Sequence, residues 1–312
     1  MKKGKKIIKE NPRFGMVSLS APDAVWNPDV YQKGKRALEE RGIEIVENET
    51  VHTKYFYLAN EPQVIADNLH KMFMRKDLDA IMCAGGGINM NKILPFIDFG
   101  LLRKNPKPFI GISNIVVLMV AMLKRNIVSF HGPSIWNYGL PNTPTEYTHN
   151  NLIQALGGYI GKLPAVTDWK VFNSGEAEGE LMGGNIASLA TVVGSRYCPV
   201  ELFRDKILIL EDIGEDFGEL DSMLTLMDLL GVFQKIKGVI IGKLKDCSAP
   251  QNVEMDVRDF IKLVFSKYDF PIIYDCDFGH VPDNLCLPFG CRARMIAKEK
   301  PELILLEAGV EE

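Results

Sequence analysis

The hydrophobic positions in the first half of the chain alternate between short apolar runs and longer segments with helical spacing. The runs predict buried strands, and the segments between them, with apolar residues on one helical face, predict helices. The predicted strands lie at 14–19, 43–46, 80–84, 109–112 and 127–130, and the clearest helices at 30–41 and 61–75. Repeated strand–helix units of this length predict a parallel sheet with helices on both faces.

The second half of the chain resumes this alternation after a less regular interval. Residues 141–180 are rich in turn-forming residues and show one amphipathic helical pattern, near 150–156. From Leu181 onward strand and helix patterns return, at 206–210, 221–229, 239–241, 256–267 and 271–274. We therefore expect an N-terminal α/β domain over 1–160, an interdomain linker over 161–180 and a C-terminal mixed α/β domain over 181–312.

Composition and charge agree with an ordinary folded protein. The 312 residues are 46% hydrophobic and 24% charged, which supports a substantial core and argues against disorder. The formal net charge of −4 does not favour binding to nucleic acid or to an anionic membrane. The apolar stretch at 116–123 is far shorter than the roughly 18 residues that cross a bilayer, and no signal-peptide core follows the basic start. We expect a soluble cytoplasmic protein.

The six cysteines predict neither a metal site nor a disulfide framework. None forms a C-x-x-C pair, and no His/Cys cluster has the spacing of a zinc site. Most lie in apolar surroundings, where a free buried thiol is the ordinary state. We expect no bound metal.

Polar or glycine-rich turns follow several predicted strands of the first half. The Ser20 turn, the glycines at 85–87, Ser113 and His131 all occupy such positions. In a parallel sheet these strand ends share one edge, where ligands bind. The glycines fit neither the dinucleotide fingerprint nor a P-loop. They form either a tight turn or a place where backbone N–H groups closely approach a reacting oxygen.

Ser113 stands between the strand 109–112 and an apolar helix, and two interpretations are open. As a nucleophile, it would have outward-pointing N–H groups and the positive end of a helix dipole beside it. As an N-cap, it would satisfy the helix end, which is a common role of serine. The second glycine of a G-x-S-x-G elbow is absent.

The second half supplies a histidine and a group of acids. His280 follows a strand, between a glycine and a proline-bounded turn, an arrangement found for general bases and for structural histidines. His131, which ends a strand of the first half, is a second candidate base. Glu211 and Asp212 end an apolar strand. Such acids either cap a helix or hold an imidazole in the orientation that accepts a proton.

Seven motifs follow one another along the chain. They are SAP at 20–22, CAGGGINMNKILPFIDF at 83–99, FIGISN at 109–114, HGP at 131–133, LMGGN at 181–185, LILEDIGE at 208–215 and FGHVPDNLCLPFG at 278–290. In this order they resemble the LD-carboxypeptidase family of serine peptidases, which includes murein LD-carboxypeptidases and microcin C self-immunity proteins. The resemblance covers nearly the whole chain. It implies a flavodoxin- or Rossmann-like N-terminal domain and a mixed α/β, swivelling β-barrel-like C-terminal domain.

The resemblance also implies a catalytic triad with members from both domains. Carried over by position, Ser113 is the nucleophile, His280 the general base and then acid, and Glu211 the residue that holds the imidazole, with Glu215 as the alternative.

The resemblance further implies an oxyanion hole and a substrate-binding set. The backbone N–H groups of Gly86 and Asn114 correspond to the oxyanion hole, and no metal or organic cofactor takes part. The side chains and backbone expected to contact substrate belong to Gly87, Asn89, His131, Trp169, Asn185 and Glu215. An aromatic residue near the site, here Trp169, would either stack on a nucleobase or pack at the domain boundary.

Two departures from the family pattern bear on the substrate. Asn114 stands where aspartate is usual, and residues 85–89 read Gly-Gly-Gly-Ile-Asn where murein-trimming members commonly have Arg-Gly-Gly-Tyr-Gly. The glycine loop resembles the self-immunity branch, whereas HGP at 131–133 and Glu215 resemble the murein branch. We expect a homodimer that cleaves a peptidyl or aminoacyl nucleotide, with murein tetrapeptide as the alternative substrate.

Two competing readings use the same sequence differently. One is an amidotransferase-like enzyme with a cysteine nucleophile, for which Cys83 lies near the right strand end. The other is a two-domain protein that binds a small molecule without catalysis.

Overall fold

The computed structural model describes all residues from Met1 to Glu312 and divides the chain into two compact units. The first unit comprises Met1–Tyr159, Pro282–Gly290 and Ala308–Glu312. The second comprises Ile160–Val281 and Cys291–Glu307. The chain therefore returns to its first unit twice near the C-terminus.

The strands of both units are short, apart from three in the second unit. In chain order they are β1 (Gly4–Lys5), β2 (Arg13–Val17), β3 (Glu44–Glu47), β4 (Ala80–Cys83), β5 (Phe109–Gly111), β6 (Ser129–His131), β7 (Gly161–Lys162), β8 (Lys170–Asn173), β9 (Gly175–Asn185), β10 (Lys206–Ile213), β11 (Gly238–Lys245), β12 (Ile272–Tyr274), β13 (Leu287–Phe289), β14 (Arg292–Ala297), β15 (Glu302–Leu305) and β16 (Val310–Glu311).

The helices lie between these strands. They are α1 (Asp23–Trp26), α2 (Pro28–Glu39), α3 (Pro62–Met74), α4 (Phe99–Lys104), α5 (Val116–Lys124), α6 (Trp136–Gly139), α7 (Glu146–Leu156), α8 (Ile186–Ala190), α9 (Phe217–Leu229) and α10 (Val257–Phe265). Single 3₁₀ turns occur at Glu49–Val51, Met90–Lys92, Leu94–Phe96, Ser113–Ile115 and Val200–Phe203.

The first unit is built on a six-stranded sheet in the order β13-β6-β5-β4-β2-β3. Its strands run parallel except β13, which pairs antiparallel with β6 through Leu287 and His131. Helix α5 follows β5 and is apolar on all sides, and every residue from Val116 to Leu123 is buried. Such a helix forms part of the core rather than covering it. No helix of the protein has both the length and the apolar character needed to cross a bilayer.

The second unit is built on an eight-stranded mixed sheet in the order β7-β15-β14-β9-β10-β11-β12-β8. Strands β9, β10, β11 and β12 run parallel to one another. The outer strands β14, β15, β7 and β8 pair antiparallel with their neighbours. β9 joins the antiparallel and parallel parts of the sheet, because it pairs antiparallel with β14 along its first half and parallel with β10 along its second half. The predicted two-domain α/β fold, with a parallel N-terminal sheet and a mixed C-terminal domain, is confirmed.

Residues 161–180 differ from the predicted linker, because they contribute β7, β8 and the first half of β9 to the second sheet. Glutamates at alternate positions of β9 form cross-strand ion pairs, Glu176 with Lys298, Glu178 with Arg294 and Glu180 with Lys206. A strand stabilised by cross-strand charge pairs has no apolar alternation. Its pattern therefore looks like that of a solvated loop.

We expect Gly34→Ala to destabilise the protein, although alanine normally favours a helix over glycine by about 1 kcal/mol. Gly34 lies within α2, and a Cβ there would come within 2.4 Å of the Ile135 carbonyl oxygen and 2.7 Å of its Cγ1. The expected loss is about 1–3 kcal/mol in the free energy of unfolding, the usual cost of overpacking. Denaturant titration measures it.

Gly100→Ala is the matched control, since Gly100 is an exposed residue of α4 and a Cβ there would approach only the Asp98 Oδ1, at 3.1 Å, and no backbone atom. We expect that variant to keep or slightly raise the free energy of unfolding. Equal stabilisation by both substitutions would contradict the close α2–α6 packing.

Candidate active site

Ser113 occupies a sharp backbone turn between β5 and α5. Ile112 is extended, with φ −144° and ψ 171°, and Ser113 then takes the left-handed conformation with φ +60°. The 3₁₀ turn Ser113–Ile115 leads directly into α5. A non-glycine residue in this region costs of order 1–3 kcal/mol and persists only where its surroundings enforce it. The structure therefore gives Ser113 the strained elbow geometry, and the N-cap residue of the 3₁₀ turn is Ile112 rather than Ser113.

The glycine loop after β4 packs directly against this turn. A Cβ on Gly86 would lie 2.5 Å from the Ser113 Cβ, 2.7 Å from its Oγ and 3.3 Å from the Asn114 nitrogen. Gly87 has φ +127°. The loop also contacts the Ser20-Ala21 turn, where the Ala21 N–H donates to the Gly86 carbonyl at 3.0 Å. Only glycine permits this approach, so the backbone of the glycine loop lies directly beside the Ser113 side chain.

The Asn114 side chain links three segments around the elbow. Its Oδ1 accepts the Met90 N–H at 2.8 Å and lies 3.0 Å from the Ser20 Oγ. The Ser20 hydroxyl also lies 2.8 Å from the Ile88 carbonyl oxygen, so its single proton is divided between two acceptors. An aspartate at 114 would offer the same acceptor to Met90. The Asn114 departure therefore preserves the contact that holds the glycine loop.

Asp23 and Trp136 occupy the space beside Gly85. A Cβ at residue 85 would lie 1.9 Å from the Asp23 Oδ2 and 2.8 Å from the Trp136 Nε1. Burial raises the pKa of Asp23 to about 7, although a hydrogen bond from Trp136 acts in the opposite direction. The chain thus has no room for the arginine side chain that murein-trimming members commonly carry here. Sequence reasoning missed Asp23, whose signal was an acid within the SAPD turn.

The second unit brings His280 and Glu211 together. The His280 Nδ1 lies 2.7 Å from the Glu211 Oε2, and Glu211 is fully buried within β10. Burial lowers the pKa of His280, but the charge and hydrogen bond of Glu211 outweigh it, so the net shift is upward. With Nδ1 bound to the carboxylate, Nε2 is the nitrogen left for proton transfer. The pair has the composition of a general base held by an acid.

The backbone that carries His280 is packed tightly against β10 and β11. Gly279 has φ +119°, and a Cβ there would lie 3.0 Å from the Glu211 Oε2. The Lys243 N–H of β11 donates to the Phe278 carbonyl at 3.0 Å. Glycine at 279 is therefore required on two counts, its conformation and the approach of the carboxylate.

Asp277 anchors this loop to residues 166–169, and sequence reasoning missed it. Its carboxylate accepts the Val166 N–H at 2.8 Å, the Thr167 N–H at 3.2 Å and the Trp169 Nε1–H at 2.8 Å, and Asp277 is 1% exposed. Trp169 itself is 7% exposed. Its indole is mostly packed and is hydrogen-bonded within the second unit, as in the packing alternative, and only a small part of it is exposed. A buried aspartate that accepts three N–H groups is a structural anchor.

Asn185 acts as a helix cap beside the strand that carries Glu211. Its Nδ2 donates to the Asp212 Oδ1 at 2.8 Å, and its Oδ1 accepts the Ser188 N–H at 2.9 Å at the start of α8. The Ala187 N–H also donates to Asp212 at 2.8 Å. Burial raises the pKa of Asp212, although these donors oppose the shift.

The remaining predicted residues have varied environments. His131 is fully buried within β6 and stacks on Phe289 at 5.9 Å between ring centroids. Asn89 is half-buried with φ +63° at the end of the glycine loop. The pKa of Glu215 is raised by partial burial and by a hydrogen bond with Glu219, and the side chain bonded to His280 is that of Glu211.

The cysteine alternative finds no support. Cys83 lies within β4 with no exposed surface, and burial alone raises the pKa of its thiol well above the usual range. Because the thiolate is the nucleophilic form, a buried neutral thiol is inert.

Comparison with known proteins gives matches over most of the chain. The profile of the LD-carboxypeptidase N-terminal domain matches residues 14–132, and that of the LD-carboxypeptidase C-terminal domain matches residues 178–295. The probable murein peptide carboxypeptidase of Bacillus subtilis (strain 168) is 29% identical over 303 residues, which cover 95% of this chain and 92% of that protein. The microcin C7 self-immunity protein MccF of Escherichia coli is 26% identical over 309 residues, covering 89% of each.

A solved structure of MccF in complex with glutamyl sulfamoyl guanosine has the same fold. Its TM-score is 0.90 at 21% identity, and the match covers 100% of both chains. The profiles cover both halves of the sequence, and several relatives are named carboxypeptidases. The chain belongs to the LD-carboxypeptidase family and is a serine-type carboxypeptidase.

Proposed function

We propose that this carboxypeptidase uses Ser113, His280 and Glu211 as a triad that cleaves an amide bond through an acyl-enzyme. The Ser113 Oγ attacks the carbonyl carbon while the His280 Nε2 takes its proton. The imidazolium then gives that proton to the leaving amine. Water, activated by the same imidazole, hydrolyses the ester on Ser113. The two-domain binding protein is not retained, because the family is enzymatic.

The observation that carries this proposal is the left-handed Ser113 packed against Gly86. A helix cap needs an extended backbone, not φ +60°, whereas a nucleophile elbow needs that strained turn. A Cβ at Gly86 would lie 2.5 Å from the Ser113 Cβ and 2.7 Å from its Oγ, so the Gly86 backbone runs close beside the hydroxyl. We assign the N–H groups of Gly86 and Asn114 to the oxyanion, since fixed donors aimed at developing charge contribute most to acyl transfer.

The acid of the triad is Glu211 rather than Glu215. Glu211 is buried and lies 2.7 Å from the His280 ring, so it fixes the tautomer and stabilises the imidazolium that forms during attack. Glu215 is bonded to Glu219 instead.

We propose a peptidyl or aminoacyl nucleotide as the substrate, as in the self-immunity branch. The glycine loop without arginine and the fold shared with MccF, which was solved with glutamyl sulfamoyl guanosine, support this choice. A murein tetrapeptide is the second candidate, supported by the 29% identity with the murein peptide carboxypeptidase of B. subtilis and by Glu215. The burial of Trp169 weakens one argument for the nucleotide, because only 7% of that residue is exposed for stacking.

The family resemblance leads us to propose a cytoplasmic homodimer as the working form. Analytical ultracentrifugation tests the oligomeric state, and fractionation of cells that produce the protein tests its location.

Ser113→Ala is expected to abolish hydrolysis and stoichiometric labelling by a phosphonate serine reagent. Loss of a triad nucleophile reduces kcat by a factor of about 10⁶. Intact-mass spectrometry detects the adduct and a product assay the turnover. Ser222→Ala, at an exposed position of α9, is the matched control and should label fully. Full turnover by the Ser113 variant would exclude the serine mechanism.

Glu211→Gln is expected to move the acidic limb of the kcat/KM–pH profile to lower pH and to reduce its plateau. In the native enzyme Glu211 raises the pKa of His280, so the neutral imidazole forms only above the ordinary range near 6.5. Without the carboxylate charge, burial dominates and the pKa of His280 falls. NMR of the imidazole provides the direct measurement. If the acidic limb of the kcat/KM–pH profile stayed at the same pH, a group other than His280 would control it.

A comparison of two substrates tests whether the chain acts like the self-immunity branch or like the murein branch of the family. We expect kcat/KM for an aminoacyl sulfamoyl adenylate to exceed that for an L,D-muropeptide tetrapeptide by at least about tenfold, a difference of roughly 1.4 kcal/mol in transition-state binding. Purified enzyme and both compounds at subsaturating concentration are sufficient. The reverse preference would assign the chain to murein trimming and leave the triad proposal intact.

A further inference from the structure

A lysine-rich cavity lies in the first unit, in a part of the chain that the proposed catalytic machinery does not use. Its volume is about 390 Å³, within the range of roughly 300–1,000 Å³ typical of small-molecule sites. Three chain segments and one strand residue, Glu311, line it. Its basic residues are Lys3, Lys5, Lys6, Lys76, Lys104 and Lys107.

The backbone holds the N-terminal lysines in place. β1 pairs with β16, and the Lys2 N–H donates to the Asn126 carbonyl at 2.7 Å. A Cβ at Gly4 would lie 2.1 Å from the Pro108 Cδ and 2.5 Å from the Lys107 carbonyl carbon, so this strand runs directly against the Lys107-Pro108 peptide. Lysines from distant parts of the sequence are therefore fixed around one space.

The acids of the cavity do not balance this charge. Asp79 and Glu311 are the two acidic residues of the lining, and Lys6 is already paired with Glu312. The Asp79 Oδ2 is already engaged, 2.8 Å from the Lys9 Nζ and 2.6 Å from the Arg13 N–H. The chain carries a net charge of −4, so this concentration of positive charge is local.

Lys107 is the one buried lysine of the lining. It is 9% exposed, whereas the other five lysines are half-buried or exposed. Burial lowers its pKa, and the neighbouring charge of Lys76 lowers it further, while Asp77 and Asp79 oppose both effects. Buried lysines are rare unless they are paired. An anion in the cavity would pair with Lys107 and relieve the repulsion between its ammonium group and that of Lys76.

We propose that this cavity binds a compact, multiply charged phosphate compound. Lysine recognises phosphate as a point charge, whereas recognition of a single carboxylate usually relies on the planar fork of arginine, which this lining lacks. The enclosing N-terminal strand favours a small anion over a polymer. The site is independent of Ser113, so its failure would leave the proposed hydrolase unaffected.

Isothermal titration of the full chain with pyrophosphate, at constant ionic strength, tests the proposal. We expect saturable binding with one site per chain. Lys107→Gln, which keeps the length and polarity of much of the side chain, should weaken it about tenfold, the value of one lost charge-assisted contact. Lys33→Gln, at an exposed position of α2, removes the same net charge and should bind like the native chain. Circular dichroism establishes that both variants are folded.

Three results would overturn the proposal. Binding that does not saturate, or that falls equally in the Lys107 and Lys33 variants, would mean non-specific attraction. Sedimentation with phosphatidylglycerol vesicles without any heat from pyrophosphate would identify a membrane surface instead of a free phosphate compound as the ligand.

Discussion

The close packing of the glycine loop on the turn at Ser113 is the constraint on which the first unit depends. Gly86 can have no side chain because the Ser113 Cβ and Oγ occupy that space, and residue 85 can have none because Asp23 and Trp136 do. Ser113 must in turn take a left-handed conformation that serine disfavours. The fully buried α5 and the contacts of Asn114 offset this strain. Core packing and site geometry are therefore inseparable here.

The second unit meets a different requirement, which is to keep acids inside a strand. Adjacent carboxylates at 211 and 212 are both buried, and each has its own set of donors. Glu211 has the His280 ring, and Asp212 has Asn185 and backbone N–H groups. Buried charges are tolerated only when they are paired in this way. The donors of Asp212 hold α8 in place, while the partner of Glu211 is an imidazole, which can exchange a proton near neutral pH.

The sequence predicted an element correctly wherever a local hydrophobic pattern was enough to define that element. The apolar runs of β2, β4 and β5 and the strand-to-helix step at Ser113 were readable because burial on both faces leaves a continuous hydrophobic stretch. The residue type at 113 allowed a cap as well as a nucleophile, and only the backbone angle separates the two.

Contacts between residues far apart in the sequence could not be predicted in this way. The anchoring role of Asp277 and the burial of Trp169 depend on a contact between residues that are 108 positions apart in the chain. β9 was missed because its exposed half is stabilised by charge pairs to other strands. Asp23 gave only a weak signal, since an acid after proline commonly begins a helix.

The antiparallel strand β13 has a consequence for biogenesis. Leu287–Phe289 forms the edge of the first sheet beside β6, although almost the entire second unit precedes it in the chain. A ribosome must therefore translate nearly the whole message before the six-stranded sheet of the first unit can be completed. Until then β6 presents an open edge in the nascent polypeptide, a state that invites wrong pairing. Truncation near the C-terminus thus damages the domain that was synthesised first.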